Sequence, residues 1–268
     1  MTAITRITAP AVRADRANPA WSGFLATTSS EIKAFYREPQ ALAFTLGQPF
    51  ILLLILNAFN FTVTLPNGTE RPYLDRLLPG LIAFNGMTVG LNSVAFVLSR
   101  LKQRGVLRRI RATPIPTGSF IAGVIVSRMV IAFGVTMVTY LAGVYVFGAR
   151  LNGSVPGIIG LAMLGAAVFI AMGILIVSIT RSEDDVPPLF MLVLMPSMLF
   201  SGAFLDRGGL PDWLHFITNG LPLTFLTHAI QEVANLGGGF TEVRIDILGL
   251  AIWGVVGSIL CSIRFRMA

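Results

Sequence analysis

The stretch that decides the fold is R-L-K-Q-R-G-V-L-R-R-I-R-A-T-P-I-P, residues 100–116. It contains six basic residues and no acidic residue. Long apolar runs lie on both sides of it, over residues 77–99 and 129–149. Because Lys and Arg collect in cytoplasmic loops, this stretch is predicted to be a cytoplasmic loop between two membrane spans.

The basic loop also has the pattern of a short amphipathic helix. Val106, Leu107 and Ile110 share one helical face, while arginines occupy the other. Gly105 gives the helix a flexible start, and the prolines at 114 and 116 end it. Two interpretations follow: the loop only fixes the orientation of the chain, or its helix docks on a soluble partner.

The composition is that of a membrane protein. The chain has 268 residues, of which 54% are hydrophobic and 12% charged, and its mean hydropathy is +0.76. Soluble domains carry about 25% charged residues. Uncharged runs of nearly 20 residues therefore predict a protein that crosses the membrane several times.

The net charge of +7 does not indicate a nucleic-acid partner. In the topology described next, 15 of the 20 Lys and Arg residues fall on the cytoplasmic side, so the basic residues report orientation in the membrane. Cys261 is the only cysteine, which excludes an internal disulfide or a cysteine metal cluster. No removable signal peptide is predicted.

The predicted fold is an all-α membrane protein with six spans and both termini in the cytoplasm. Residues 1–18 are expected to form a disordered tail, and residues 19–268 a single domain. An amphipathic helix over 19–38 is too polar to span and is expected to lie in the membrane interface. The spans are predicted at 41–61, 77–99, 118–147, 156–180, 186–205 and 243–263.

Residues 213–231 contain no charged residue, yet we predict that they do not span. Asn219-Gly220 and Pro222 divide them into two short helices, over 211–219 and 223–234, each too short to cross a core about 30 Å thick. If this stretch crossed, Arg264 and Arg266 would lie outside. Two helices that enter and return keep them inside, as the positive-inside rule prefers.

Several charged residues need separate interpretation. Arg128 lies inside the cytoplasmic end of the third span, where its side chain is expected to reach the interface, although a charge at that depth is also typical of a functional residue. Residues 181–185 form a compact cytoplasmic turn, either a second place for a partner to touch or a plain solvated loop. The charged residues 242, 244 and 246 are candidates for tying down the external helices.

The sequence predicts no nucleotide-binding, metal-binding or catalytic site in this chain. It lacks the G-x-x-x-x-G-K-[ST] phosphate loop, and its two histidines, His215 and His228, are not at metal-ligand spacing. Glu183, Asp184 and Asp185 are adjacent in a loop, not paired across a cleft. Any energy source must therefore be a separate ATPase, an ion gradient, or none.

Three segments resemble the ABC type-2 exporter permease family. R-G-V-L-R-R-I-R-A-T-P-I, residues 104–115, resembles its "G-x-L-x-R-L-x-x-T-P" segment, with Lys102-Gln103-Arg104 where family members often carry a Glu. Y-R-E-P (36–39) followed by L-G-Q-P (46–49) resembles the entry into its first span. S-G at 201–202, L-P-D-W-L at 210–214 and L-P-L-T-F at 221–225 resemble its external re-entrant helices.

The resemblance implies a permease subunit in the cytoplasmic (inner) membrane, paired with a second copy or a paralogue. Separate nucleotide-binding ATPase subunits would bind ATP and Mg, leaving this chain without catalytic, cofactor or metal residues. The amphipathic helix would be the elbow helix, and the basic loop would be the coupling helix that fits the ATPase. The implied ATPase-coupling residues are Arg104, Gly105, Leu107, Arg108, Arg109, Arg111, Thr113 and Pro114, with Glu183, Asp184 and Asp185 as a second cytoplasmic contact.

The same resemblance implies a substrate path along the first, second and fifth spans. Met-rich walls adapt to varied apolar ligands, which suits the methionines of the fifth span. The candidate path residues are Asn85, Asn92, Met191, Met195 and Met198, and the candidate external gate residues are Phe204, Trp213 and Pro222.

By resemblance the substrate would be a drug or lipid for export, with antibiotic resistance or lipid transport as the setting. Export of a lipid-linked polysaccharide stays open, because polysaccharide exporters share the fold. Two other classes also stay open: a secondary transporter driven by an ion gradient, and a scaffold or immunity protein that sequesters a toxic compound. An adjacent ATPase gene would favour the exporter.

Overall fold

The computed structural model describes residues 19–59, 62–64, 70–103, 116–180, 182–204 and 212–266. The predicted tail (1–18) and all eight predicted coupling residues between 104 and 114 lie outside these ranges. The helices are α1 (Pro19–Arg37), α2 (Pro39–Phe59), α3 (Tyr73–Met87), α4 (Ser93–Gln103), α5 (Thr117–Leu141), α6 (Val155–Ile179), α7 (Val186–Phe200), α8 (Asp212–Gly220), α9 (Pro222–Gln231) and α10 (Phe240–Arg266).

Short elements complete the described fold. Three π-helical segments, Thr88–Asn92, Ala142–Val146 and Glu232–Leu236, follow α3, α5 and α9, and a 3-10 turn, Glu183–Asp185, precedes α7. The strands β1 (Thr62–Thr64) and β2 (Glu70–Pro72) pair antiparallel, with Val63 opposite Arg71. In the residues that the structure describes, the regular elements are therefore helices apart from one small two-stranded ladder.

Four described helical stretches are long and apolar enough to cross a membrane: Tyr73–Leu101, Gly118–Val146, Val155–Ile179 and Phe240–Leu260. They coincide with four predicted spans. The first and fifth predicted spans correspond to shorter apolar stretches, Thr45–Ile55 and Val186–Phe200. At 1.5 Å per residue, α7 covers about 22 Å, less than the roughly 30 Å of a bilayer core.

The fifth helix ends earlier than the sequence predicts. The predicted span continues to residue 205, whereas α7 ends at Phe200 and bends follow over 201–204. Gly202 adopts a φ of +81°, which glycine reaches without steric cost. This left-handed turn ends the helix, and the hydropathy pattern carries no signal of it.

The two short helices predicted after the fifth span are present as α8 and α9. Leu221 between them is extended, and Pro222 occupies the first helical position of α9, where its missing N–H costs nothing. The Glu232–Leu236 π-helical segment extends α9, and Gly237 ends it with a φ of +70°. The break at Gly220–Pro222 is therefore where the sequence places it.

The second span, from α3 through the π-helical segment to α4, is the centre of the molecule and is buried along most of its length. It approaches α6 closely through glycines. A Cβ added to Gly90 would lie 2.8 Å from the Ala166 carbonyl oxygen, and one added to Gly173 would lie 2.8 Å from the Leu91 carbonyl oxygen. Small residues of this kind let the backbones of membrane helices meet.

The amphipathic helix α1 packs lengthwise against α5. The Thr28 hydroxyl lies 3.3 Å from the Gly123 carbonyl oxygen, and a Cβ added to Gly123 would meet the Thr27 Cβ at 2.8 Å. Further along, Phe35 packs against the cluster that contains Ile131. The two helices therefore run parallel, since later residues of α1 contact later residues of α5.

The sequence predicts an interfacial helix with one apolar stripe. In the structure, Thr27 meets Gly123 of α5, while the large apolar residues Trp21, Leu25 and Tyr36 remain exposed. The reason is steric, since glycine and threonine allow α1 to approach α5 more closely than an aromatic stripe would.

The glycine contacts in α6 generate a stability prediction. We expect Gly173→Ala to destabilise the protein by about 1–3 kcal/mol, because the new methyl group meets a fixed backbone carbonyl. The matched control is Gly160→Ala in the same helix, where a Cβ has nothing within 4 Å. Thermal unfolding in detergent measures the difference, and equal midpoints for the two variants would contradict the packing argument.

Candidate functional site: an uncharged pocket between three helices

A pocket of about 390 Å³ lies between α2, α3 and α7. It is lined by Ala43, Gln48, Pro49, Ile51, Leu52, Ile55, Leu81, Phe84, Asn85, Met198 and Phe204. None of these lining residues is charged, and only Gln48 and Asn85 carry hydrogen-bonding side chains. Pockets that bind small molecules typically combine apolar walls with a few placed polar groups.

The Asn85 side chain is hydrogen-bonded to α5, a helix that contributes none of the lining residues given above. Its side-chain amide donates a hydrogen bond to the Thr139 hydroxyl of α5 at 2.9 Å, and the residue is almost fully buried. A buried amide is costly without a partner, so this bond stabilises the Asn85 side chain at the pocket wall. Hydropathy alone does not reveal Thr139, which lies 54 positions away along the chain.

Phe204 is the predicted gate residue that the structure brings to the pocket. Its carbonyl oxygen accepts a hydrogen bond from the Tyr73 hydroxyl at the start of α3. Its ring packs edge-on against Phe84, with ring centroids 5.1 Å apart. Phe204 is thereby attached to α3 at two points, by its backbone and by its ring.

Of the other two predicted gate residues, Pro222 has a described side chain, and it does not line this pocket. Pro222 is buried in the first turn of α9, and Trp213 belongs to α8, where its side chain is outside the description.

The predicted path residues divide into two groups. Asn85 and Met198 line the pocket together. Met191 and Met195 instead project from the outer face of α7, where 47% and 51% of their surfaces are exposed. Asn92 lies at the end of the π-helical segment in the second span, and its side chain is outside the description. Gln48 and Phe84 line the pocket although sequence reasoning missed them.

The acidic turn lies beside the end of α4. The Ser182 N–H donates to an Asp185 carboxylate oxygen at 2.8 Å, and the Ser99 hydroxyl contacts the Ser182 carbonyl oxygen at 3.5 Å. Asp184 is exposed, and the side chain of Glu183 is outside the description. Because α4 leads into the basic loop, the two predicted cytoplasmic contacts begin at the same end of the molecule.

The Arg128 side chain is enclosed by protein and does not extend to solvent, contrary to the expectation from sequence. It is only 4% exposed and forms an ion pair with Glu31 of α1. Its Nε has no hydrogen-bond partner in the described part of the chain. In the sequence, Glu31 is only a polar residue that interrupts an apolar helical face. Nothing in the sequence pattern indicates that it pairs with Arg128, which lies 97 positions further along the chain.

The charged residues at the start of α10 have separate roles. Asp246 contacts the Nδ1 atom of His228 at 2.8 Å and thus joins α10 to α9. Glu242 instead accepts hydrogen bonds from the Gly239 N–H and the Thr241 hydroxyl within its own helix start. The suggested tie between the start of α10 and the short helices before it is therefore present for Asp246. Within the described residues, no three His, Cys, Asp or Glu side chains are grouped to hold a metal ion.

The apolar helices and the uncharged pocket define a multi-pass membrane protein. Comparison of the sequence with protein families gives a match to the family described as "ABC-2 type transporter" over residues 22–234. The chain belongs to this family. It is therefore a membrane transport component of the permease type and not a catalytic subunit.

Three named relatives match the chain at low identity. The chain is 23% identical over 231 residues to "ABC transporter G family member 20" of Dictyostelium discoideum, covering 84% of this chain and 31% of that protein. It is 26% identical to "Inner membrane transport permease YhhJ" of Escherichia coli strain K12, covering 68% and 51%.

A third relative, "Probable multidrug ABC transporter permease YbhR" of the same bacterium, is 21% identical, with 70% of this chain and 52% of that protein covered. The chain spans about half of the two bacterial relatives and a third of the Dictyostelium protein.

The Tyr73 contact generates a second prediction. Tyr73→Phe removes the hydroxyl that holds the Phe204 carbonyl, and we expect a loss of about 1 kcal/mol in stability. Tyr145→Phe is the control, because that side chain is 79% exposed. Thermal unfolding of both variants in detergent checks the difference, and an unchanged midpoint for Tyr73→Phe would show that the contact contributes nothing.

Proposed function

We propose that this chain is the permease of an ATP-driven exporter that moves a hydrophobic or amphipathic molecule, a drug or a lipid, out across the cytoplasmic membrane. The observation that carries the proposal is the uncharged pocket between α2, α3 and α7. In the proposed arrangement, α2 and α7 complete six spans, α1 is the elbow helix, α8 and α9 are external re-entrant helices, and both termini are cytoplasmic.

The chemistry of the pocket supports an apolar or amphipathic substrate. Its walls are aliphatic and aromatic, with Met198 as an adaptable contact and with Gln48 and Asn85 available for one or two hydrogen bonds. A volume of about 390 Å³ suits a small molecule or part of a lipid. It is small for a glycan chain, so export of a lipid-linked polysaccharide is the less favoured alternative.

The surroundings of the pocket support assembly of two permeases. On α2, Ile51 and Leu54 are about 60% exposed, and on α7, Leu192 is 69% exposed. A second copy or a paralogue against these faces would enclose the pocket. Met191 and Met195 would then line the shared path with Asn85 and Met198.

The proposed energy source is a pair of separate ATPase subunits that bind ATP and Mg. The basic loop is the proposed docking element, with Asp184 and its neighbours as the second contact. A secondary transporter is less favoured, because no carboxylate lines the pocket and the buried charged residues of the described chain, Asp75, Arg128 and Asp246, each contact a partner elsewhere. The "multidrug" name of one relative supports drug efflux.

The docking role is tested by co-purification of the tagged chain from its native host. We expect a stoichiometric nucleotide-binding subunit with the wild-type chain and its loss when Arg108 and Arg109 are both changed to Glu, because the change reverses the charge of the proposed docking face. Arg244→Glu, an exposed arginine at the start of α10, is the control that retains the partner. Recovery of the wild-type chain alone after mild crosslinking would favour a gradient-driven or scaffold protein.

The pocket is tested by filling it. We expect Met198→Trp to lower rhodamine-stimulated ATP hydrolysis of the purified complex by about tenfold, equivalent to about 1.4 kcal/mol of binding. Ile252→Trp on the outer face of α10, where the residue is 63% exposed, is the control that keeps full stimulation. If the filled pocket still supports full stimulation, the substrate binds elsewhere.

A further inference from the structure

We propose that the Glu31–Arg128 ion pair is a positioning strut that transmits movement of the basic loop to the wall of the pocket. This inference rests on the proposed function. The pair joins α1 to α5, with the side chain of Arg128 5% exposed and that of Glu31 18% exposed. It assigns a role to two residues that form neither the docking loop nor the pocket.

The position of the pair along α5 places it at the cytoplasmic edge of the membrane. Arg128 precedes Val146, the outer end of the apolar stretch, by 18 residues. At 1.5 Å per residue this separation is about 27 Å, close to the full thickness of a bilayer core of about 30 Å. The pair is thus enclosed by protein at the level where a cytoplasmic partner would act.

The pair connects two parts of the chain that are otherwise far apart in sequence. On one side, α5 starts at Thr117, directly after the basic loop, and reaches Arg128 three turns later. On the other side, Glu31 belongs to α1, which continues into α2 with only Glu38 between them. Each helix of the pair therefore adjoins a proposed functional element: α5 adjoins the basic loop, and α1 adjoins α2.

The junction between α1 and α2 is stiffened by backbone hydrogen bonds. The Glu38 N–H donates to the Phe35 carbonyl oxygen at 3.3 Å, and the Leu42 N–H donates to the Glu38 carbonyl oxygen at 3.1 Å. Beyond the junction, α2 supplies six of the eleven residues that line the pocket. A displacement of α5 that pulls on Glu31 would therefore move the pocket wall.

Stability alone is a poor explanation for this pair. The desolvation of two charges largely offsets their attraction, and well-packed apolar side chains hold buried helices equally well. Close contacts at Gly123 and Thr27 already join α1 to α5. What the pair adds is a fixed register between the two helices, because neither charge can move away from the other without an energetic cost.

The test uses the full chain in complex with its ATPase, reconstituted in lipid. A reporter cysteine replaces Ile51 on the pocket wall, in a background where the native cysteine is removed (C261S). The measurement is the rate of maleimide labelling without nucleotide and after trapping with ATP and vanadate. The decisive variant is E31Q/R128M, which removes both charges together and avoids leaving one of them buried and unpaired.

The proposal expects a nucleotide-dependent labelling rate in the otherwise wild-type chain and its loss in E31Q/R128M, with the ATPase still bound. The control is K33Q/R37M, which removes two exposed charges from the same helix and keeps the response. Restoration by the reversed pair, E31R/R128E, would support the strut even if E31Q/R128M fails to assemble.

Two results overturn the inference alone: a full response in E31Q/R128M, or an assembled reversed pair that does not respond. A wild-type chain that binds no ATPase, or that shows no nucleotide-dependent labelling, overturns the proposed function and the strut with it.

Discussion

The structure depends on the close approach of the second span to α6. Inside a bilayer, apolar side chains are already surrounded by apolar lipid, so helix association brings no hydrophobic gain. The helices associate through packing and hydrogen bonds instead. Gly86 and Gly90 meet Ala162 and Ala166, and Gly173 meets the backbone at Leu91. The second span is buried along most of its length, and α2, α5, α7, α9 and α10 each contact it or α6. Asn85 and Phe84 acquire fixed positions because α3, which carries them, is packed against α6.

The pocket exists because α2 and α7 are not packed in this way. Both helices keep large apolar residues on their outer faces, such as Ile51 and Leu192, and both are shorter in apolar length than the four clear spans. Pro49 and Pro196 lie inside these helices and remove backbone hydrogen bonds from them. The rigid part of the molecule therefore supplies one wall of the pocket, and two less constrained helices supply the others.

The sequence is sufficient for features that depend on local composition. Hydropathy places four spans to within a few residues, and Gly220 with Pro222 marks the break between α8 and α9. It is insufficient where the outcome depends on which face meets a neighbour. The orientation of α1 follows from a fit between Thr27 and Gly123, and the pairing of Glu31 with Arg128 joins positions 97 residues apart. For the same reason, Asn85 and Met198 could be named as pocket residues from their chemistry, whereas Gln48 and Phe84 could not.

The distribution of charge constrains how any energy reaches this pocket. A proton gradient acts on a site through groups that bind the proton, and no carboxylate or other titratable side chain lines the pocket. In the proposed exporter, energy arrives instead as a displacement of the helices that form the walls. A displacement is transmitted through continuous elements, and α1 leads into the first turns of α2, before Pro49, with only Glu38 between the two helices. In this proposal, the buried Glu31–Arg128 pair transmits the displacement and the uncharged pocket receives it.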